Sequence, residues 1–283
     1  MKKDNSNLHK ARKAKNDEFY SRYEDIEKEM EHYTYQLHGM WVYSPCDDYR
    51  WSNFKKYFTN NFERLGLKHF TCTNYDLGEG AFRYDYDGEK ETITRLEGNG
   101  DYSSPECTAI RDECDIIITN PPFSKSRCLF GWLQKNNAKF YIHNTWLNTI
   151  KCYNNLNEIY AANLRIKYDV PAWDRYAITV TASGIVTNIE LKDTGNKQCK
   201  LEKTFAEVKH DFYYEDDLYK TDVWKGKILN VDRCENIPND YDDFIGVPIS
   251  FIAVQPWVRK QYKIYGPVIY GRKFLRLRIK KIK

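Results

Sequence analysis

The sequence has little of what would mark a metal-dependent, secreted or membrane protein. Its eight cysteines include no Cys-x-x-Cys pair, and no histidine cluster has metal-ligand spacing, so no metal is expected. Such scattered cysteines read as reduced, mostly packed thiols of an intracellular chain. The amino terminus lacks the apolar core of a signal peptide, and no apolar run approaches membrane-spanning length. The expectation is a soluble cytoplasmic protein with no membrane partner. Glycine-rich phosphate loops, internal repeats and low-complexity segments are also missing.

What is present is a chain of 283 residues, long enough for one large domain or two lobes. Its net charge is only +4, but the charge is unevenly spread: Arg259 to Lys283 holds ten Lys or Arg and no Asp or Glu. Residues 1–15 are basic too and read as a flexible arm, so both ends look towards a polyanion. Between Arg259 and Lys283, apolar and aromatic residues such as Tyr262, Ile264, Tyr265, Leu277 and Ile279 alternate with the charges, which fits strands with one basic face. Arg259, Lys260, Arg272, Lys273 and Arg276 are the expected contacts to such a polyanion.

The most informative stretch is Asp115-Ile116-Ile117-Ile118-Thr119-Asn120-Pro121-Pro122-Phe123. Ile-Ile-Ile-Thr reads as a strand buried on both faces of a parallel sheet. Two prolines then end it in a stiff turn, at the strand's carboxyl end where open α/β sheets bind ligands. Asn-Pro-Pro-Phe suits methylation of an amino group conjugated to a planar ring. The Asn120 side-chain carbonyl and the Pro121 main-chain carbonyl each accept one amino hydrogen, stabilising positive charge as it develops on nitrogen. Phe123 stacks on the ring of a base taken out of the duplex. The plain structural alternative has Asn120 capping the following helix.

Around this stretch the chain reads as alternating strands and helices. Residues 16–37 form a helix with an apolar stripe from Tyr23 to Leu37. Met40–Ser44 is a first strand, Ser52–Leu65 a helix capped by Ser52 and closed by Gly66, and Lys68–Asn74 a second strand. The intervening Cys46-Asp47-Asp48 loop would repel phosphate but attract a cation such as S-adenosylmethionine, although the two acids also suit the helix dipole. Asn74 and Asp76 suit ribose hydroxyls or a turn. Residues 77–92 read as a hairpin excursion, Ile93–Glu97 as a third strand, and Asp101 as an acceptor for an adenine amino group. Pro105–Glu113 is a helix. A further helix follows Phe123, capped by Ser124, with Cys128, Leu129, Trp132 and Leu133 inward, and then a strand at Ala138–His143. A helix to Tyr160 and a strand near Leu164–Tyr168 come next. Arg175–Thr181 and Ile185–Leu191 read as a hairpin, and Gly246–Val254 as a buried strand that returns to the sheet.

Taken in order, these pieces resemble the EcoRI-type family of adenine-specific DNA methyltransferases. The resemblance rests on His9-Lys10-Ala11, Asp17-Glu18-Phe19-Tyr20, Val42-Tyr43, Cys46-Asp47-Asp48, Ser52-Asn53-Phe54, Asn61-Phe62-Glu63, Cys72-Thr73, Glu97-Gly98-Asn99-Gly100-Asp101, Asp115 through Ser124, and Gly246-Val247-Pro248-Ile249. It covers most of residues 9–150 and then thins to the last of these. The resemblance implies an α/β, Rossmann-like S-adenosylmethionine-dependent methyltransferase fold with a mixed, mostly parallel sheet. It implies a catalytic domain over 16–170 and a DNA-recognition region over 171–283. It implies methyl transfer to the adenine 6-amino group of double-stranded DNA, beside a cognate restriction endonuclease that the enzyme does not bind. By position, Asn120, Pro121, Pro122 and Phe123 form the catalytic loop, while Phe19, Tyr20, Cys46, Asp47, Asp48 and Asp101 surround the cofactor. The competing readings are a methyltransferase acting on RNA or protein glutamine, and an inactive DNA-binding relative.

Overall fold

The computed structural model describes residues 20–122, 125–161, 168–169, 183–189, 199–214, 227–270 and 274–282. The chain forms two compact units, Met1–Thr145 with Leu164–Thr187, and Trp146–Asn163 with Asn188–Lys283. The expected division near residue 170 therefore shifts. Residues 183–187 fall to the first unit, and the segment after Thr145 falls to the second.

In the first unit β1 (Tyr20–Ser21) leads into α1 (Tyr23–Met30). Glu24 and Asp25 in its first turn and Lys28 in its last complement the helix dipole, and Ile26 and Met30, four residues apart, are buried. Tyr33 and Leu37, on the short turns that follow, continue the buried stripe. β2 (Trp41–Ser44), α2 (Asn53–Asn60) and β3 (His69–Thr73) form a parallel crossover. The Ser52 side chain accepts hydrogen bonds from the Phe54 and Lys55 amides at the start of α2. The helix breaks at Asn61, resumes over Phe62–Leu65, and ends at Gly66 in the left-handed region with φ 61°. The stripe Phe54, Tyr57, Phe58, Phe62 and Leu65 is buried throughout.

β4 (Phe82–Tyr86) and β5 (Glu91–Arg95) make an antiparallel hairpin at the sheet edge. The third strand thus begins earlier than expected, and all of its residues are exposed. After α3 (Pro105–Glu113) come β6 (Ile116–Thr119), α4 (Ser126–Gln134) and β7 (Phe140–Thr145). Leu129, Phe130, Trp132 and Leu133 of α4 are buried, whereas Cys128 is exposed, contrary to expectation. β8 (Tyr168–Asp169) pairs with β1, and β9 (Ser183–Thr187) runs antiparallel to β7. Within this unit the large sheet runs β5-β4-β3-β2-β6-β7-β9. Its middle strands β3, β2, β6 and β7 are parallel, and β6 is fully buried, as its apolar run requires.

The second unit contains α5 (Trp146–Cys152) and a five-stranded sheet. The strands β10 (Phe212–Tyr214), β11 (Lys227–Asn230), β12 (Ile245–Pro248), β13 (Tyr262–Tyr270) and β14 (Phe274–Lys281) lie in the order β10-β11-β12-β14-β13. Residues 246–254 therefore do not return to the first sheet. Ile245–Pro248 is a strand of this one, and Ile249–Ala253 curls into a helical turn behind Pro248, which lacks the amide to continue a ladder. Arg175–Thr181 lies outside the described residues. Among the described residues no helix is long and apolar enough to cross a membrane.

Candidate active site at the carboxyl ends of the central strands

From β2 the chain crosses to β3 on one side, while β6 lies on the other. The order of strands reverses at this point, and in parallel sheets the loops leaving two such strands open a crevice. Here they are the loop 45–52 after β2 and the loop 120–125 after β6.

Buried hydroxyls stitch the two strand ends together. Ser44 Oγ donates to the Ile118 carbonyl at 2.6 Å. Asp47 accepts from Ser52 Oγ at 2.7 Å through one carboxylate oxygen, and from Thr119 Oγ1 at 2.9 Å through the other. The Asp47 amide donates to the Thr73 carbonyl at 3.1 Å, which adds β3. One carboxylate thus joins the α2 cap to the residue immediately before Asn120. Asp48 is held differently. Its oxygens accept from Arg50 Nε at 2.9 Å and Nη2 at 2.6 Å, and that guanidinium lies 4.4 Å over the Trp51 ring. Arg50 pairs with Asp48, whereas hydroxyls of Ser52 and Thr119 donate to Asp47.

Asn120 is half-buried, Pro121 buried and Pro122 half-buried. The Lys125 amide donates to the Pro122 carbonyl at 2.9 Å, so the loop turns tightly into α4. Since α4 begins at Ser126 and its cap position is Lys125, Asn120 does not cap this helix. Phe123 lies outside the described residues. The loop after β5 closes on the same region: Asp101 accepts from the Ser103 amide at 2.9 Å and Ser103 Oγ at 2.6 Å. Burial pushes the Asp101 carboxyl up, but the Ser103 donors and the Lys125 charge outweigh this and hold it below the usual carboxylate range. Tyr102 is buried, edge-on to Trp132 at 5.5 Å. Burial raises its phenol well above the usual value, with Cys128, Cys46 and Asp101 adding to the effect. Cys46, Asp101, Tyr102 and Lys125 therefore share one neighbourhood.

Asn74 does not serve as a ribose ligand. It is buried, and its amide donates to the Tyr75 and Gly80 carbonyls while its oxygen accepts from the Phe82 amide at 2.9 Å. The turn role prevails because the loop has backbone groups to satisfy. Gly100, with φ +69°, packs beneath it, where a Cβ would lie 2.0 Å from the Asn74 carbonyl oxygen. Phe19 lies outside the described residues, and Tyr20 is placed by its backbone. The Ser21 carbonyl accepts from Asn53 at the start of α2 at 2.8 Å, and Ser21 Oγ lies 3.0 Å from His143 Nδ1 near the end of β7. The chain at Tyr20 is thereby fastened to the carboxyl edge of the sheet. Burial lowers the His143 pKa to about 3, so its ring is neutral.

With this geometry established, comparison with known proteins decides the family. The family described as adenine-specific methyltransferase EcoRI matches residues 7–273. The chain belongs to it. The match runs well past residue 150, where the sequence resemblance had thinned. The chain is 31% identical over 283 residues to the Type II methyltransferase M.EcoRI of Escherichia coli, covering 88% of this chain and 85% of that protein. It is 28% identical over 268 residues to the Type II methyltransferase M.MgeORF184P of Mycoplasma genitalium, with 87% and 81% covered. Identity to the Type II methyltransferase M.MpnI of Mycoplasma pneumoniae is 26% over 272 residues, with the same two shares. No solved structure is significantly similar. As a member of the EcoRI family, the chain is an adenine-specific DNA methyltransferase, with the mixed α/β sheet such an enzyme uses.

In this family member one expected DNA contact is corrected. Arg259 is only 6% exposed. Its guanidinium donates to the carbonyls of Ile159, of Leu156 at 2.8 Å and of Ile252 at 3.3 Å, and lies 5.0 Å over Tyr160. Burial lowers its pKa to about 10. Arg259 therefore satisfies backbone inside the second unit and has no free face for a phosphate. Lys260 is exposed. Arg276 is half-buried and donates to Asn230 Oδ1 at 3.1 Å. Arg272 and Lys273 lie outside the described residues. Sequence reasoning missed Thr119, Tyr102 and Lys125. Of these only Thr119 left a sign, as the one hydroxyl at the end of an otherwise apolar strand.

Proposed function

We propose that the chain methylates the 6-amino group of an adenine extruded from duplex DNA, with S-adenosylmethionine as donor. The observation that carries this is the placement of Asn120 and Pro121. They follow directly on buried β6 at the switch point, and Thr119 beside them is braced to the Asp47 carboxylate at 2.9 Å. When bound, S-adenosylmethionine supplies a methyl group on a cationic sulfur.

The chain's own residues suit that donor and an amino acceptor. Asp47 and Asp101 both place carboxylates where a cationic molecule would rest, and both are already oriented by hydrogen bonds. Asp48 contributes less, because Arg50 matches its charge. Cys46 and the chain at Phe19 and Tyr20 complete the surround. Asn120 Oδ1 and the Pro121 carbonyl accept the two hydrogens of the adenine amino group and favour a pyramidal nitrogen, with Phe123 stacked on the purine. A strong general base is unnecessary, since the proton is lost after transfer. Residues of the basic carboxyl-terminal strands contact DNA. The naming of the relatives as Type II methyltransferases supports a protective, cytoplasmic role alongside a restriction endonuclease that the enzyme does not bind, or in phage DNA protection.

The test is incubation with methyl-labelled S-adenosylmethionine and, in parallel, mixed-sequence duplex DNA, RNA and protein. Label should appear in DNA as N6-methyladenine alone. A folded chain that leaves adenine unlabelled across many DNA sequences, or that labels RNA or protein instead, overturns the proposal.

A further inference from the structure

The second unit carries a cluster that the methyl-transfer chemistry leaves unused. Along β14, Leu277 and Ile279 are buried, so Arg276, Arg278 and Lys280 point to the opposite face of the sheet. Lys280 sits directly across from Lys263 of β13, and Arg278 across from Gly266. The register shifts between Ile264 and Gly266, and this bulge makes room for Tyr265 on the basic side. Phe244, just before β12, meets the Tyr265 ring edge-on at 5.1 Å. Three cations lie over these rings: Lys263 at 5.3 Å from Tyr265, and Arg278 at 5.4 Å and Lys280 at 5.0 Å from Phe244.

Two features point to a polyanion as the occupant. First, like charges directly opposite across two strands are destabilising, and Lys263 and Lys280 make such a pair. The acids at the margin compensate weakly, since Asp243 is 3.7 Å from Lys280 and Asp232 is 3.6 Å from Arg276, both with well-exposed side chains. Second, Arg276 and Arg278 precede Lys280 on the same face of β14 at two-residue steps of about 6.8 Å, close to the separation of successive phosphates along one DNA strand, so the positive charge runs on along the strand.

We propose that Lys263 and Lys280, seated on the Phe244–Tyr265 ring pair, bind phosphates of the duplex DNA substrate. This rests on the DNA methyltransferase reading and adds where and how the duplex is held. The rings fix the cations in position, and the contacts supply affinity that carries no sequence information.

The experiment measures affinity of the full chain for fluorescent mixed-sequence duplex DNA across a range of salt concentrations. Lys263→Ala with Lys280→Ala should weaken binding about tenfold or more at low salt. It should also reduce the slope of log affinity against log salt by about 1.8, at roughly 0.9 per lost phosphate contact. Melting temperature should not fall, since the opposed like charges are removed, and Lys280→Arg should keep the wild-type slope. A double variant with wild-type affinity and slope, beside a wild-type chain that binds and methylates DNA, overturns this proposal alone. A wild-type chain that neither binds nor methylates DNA overturns the reading beneath it as well.

Discussion

The two units treat charge in opposite ways. At the switch point of the first unit, acids are placed singly and each is tied down: Asp47 by two hydroxyls, Asp48 by Arg50, Asp101 by Ser103. On the β13–β14 face of the second unit, Lys263, Arg278 and Lys280 share two aromatic rings. The first arrangement suits chemistry, where a charge displaced by an ångström loses its use. The second suits a long polyanion that slides and exchanges. Arg259 shows that composition alone does not separate such roles, because the first cation of the basic segment is the one that burial assigns to holding backbone carbonyls.

Asn120→Ala offers the sharpest way to test this contrast. Removing one of two acceptors for the amino group should lower methyl transfer by about a thousandfold or more, in the range of a lost transition-state hydrogen bond acting with the group beside it. Donor affinity, measured by calorimetry, should change by less than about threefold. A variant with near wild-type turnover would break the assignment of chemistry to the first unit.

Arg259→Met should act through folding alone. It leaves carbonyls of Ile159 and Leu156 buried without their donor, at a cost of roughly 2 to 4 kcal/mol. Melting should show this as a drop of several degrees, while the salt slope of DNA binding in the fraction that remains folded matches wild type. A reduced slope with unchanged melting would return Arg259 to the DNA surface.

Much of the first unit was legible because its signals are local. A buried β-branched run, a serine cap on α2 and a glycine at its end need no tertiary knowledge. The acids of the site were legible as residues but not as partners. Asp47 and Asp48 stand side by side in sequence, yet one faces Thr119, 72 positions away, and the other pairs with Arg50 two positions on. The Asn74 turn prevailed over a ribose contact because the loop's own amides and carbonyls claim the side chain. In the second unit periodicity caught the basic alternation. It missed the helical turn at Ile249–Ala253, where an apolar run reads equally as strand or buried helix.

Thr119 tests whether the brace between loops matters to chemistry. Thr119→Val keeps shape but removes the hydroxyl that Asp47 accepts. Turnover should fall about tenfold, because Asn120 loses its fixed approach, while Thr119→Ser should recover most of the loss. Donor affinity should move by only a few fold in either variant. Equal activity of the valine and serine variants would reduce the contact to packing.

The smallest effect concerns Glu29 of α1, buried at 2% exposure, with one oxygen accepting from Tyr33 at 2.5 Å and the other without a hydrogen-bond partner among the described residues. Burial raises its pKa from 4.5 to about 7, against the opposing Tyr33 hydrogen bond. The folded state then holds this proton more tightly than the unfolded one. Its contribution is fully present below about pH 4.5 and is lost as pH rises through about 7. His143, with its pKa lowered to about 3, has the opposite sign: its contribution is complete above the unfolded value and is lost as pH falls. Glu29→Gln removes the first trend and leaves the second. Its melting temperature relative to wild type should therefore rise by a few degrees between pH 5 and pH 8. A difference that stays constant over that range would mean that Glu29 is ionised in the folded protein.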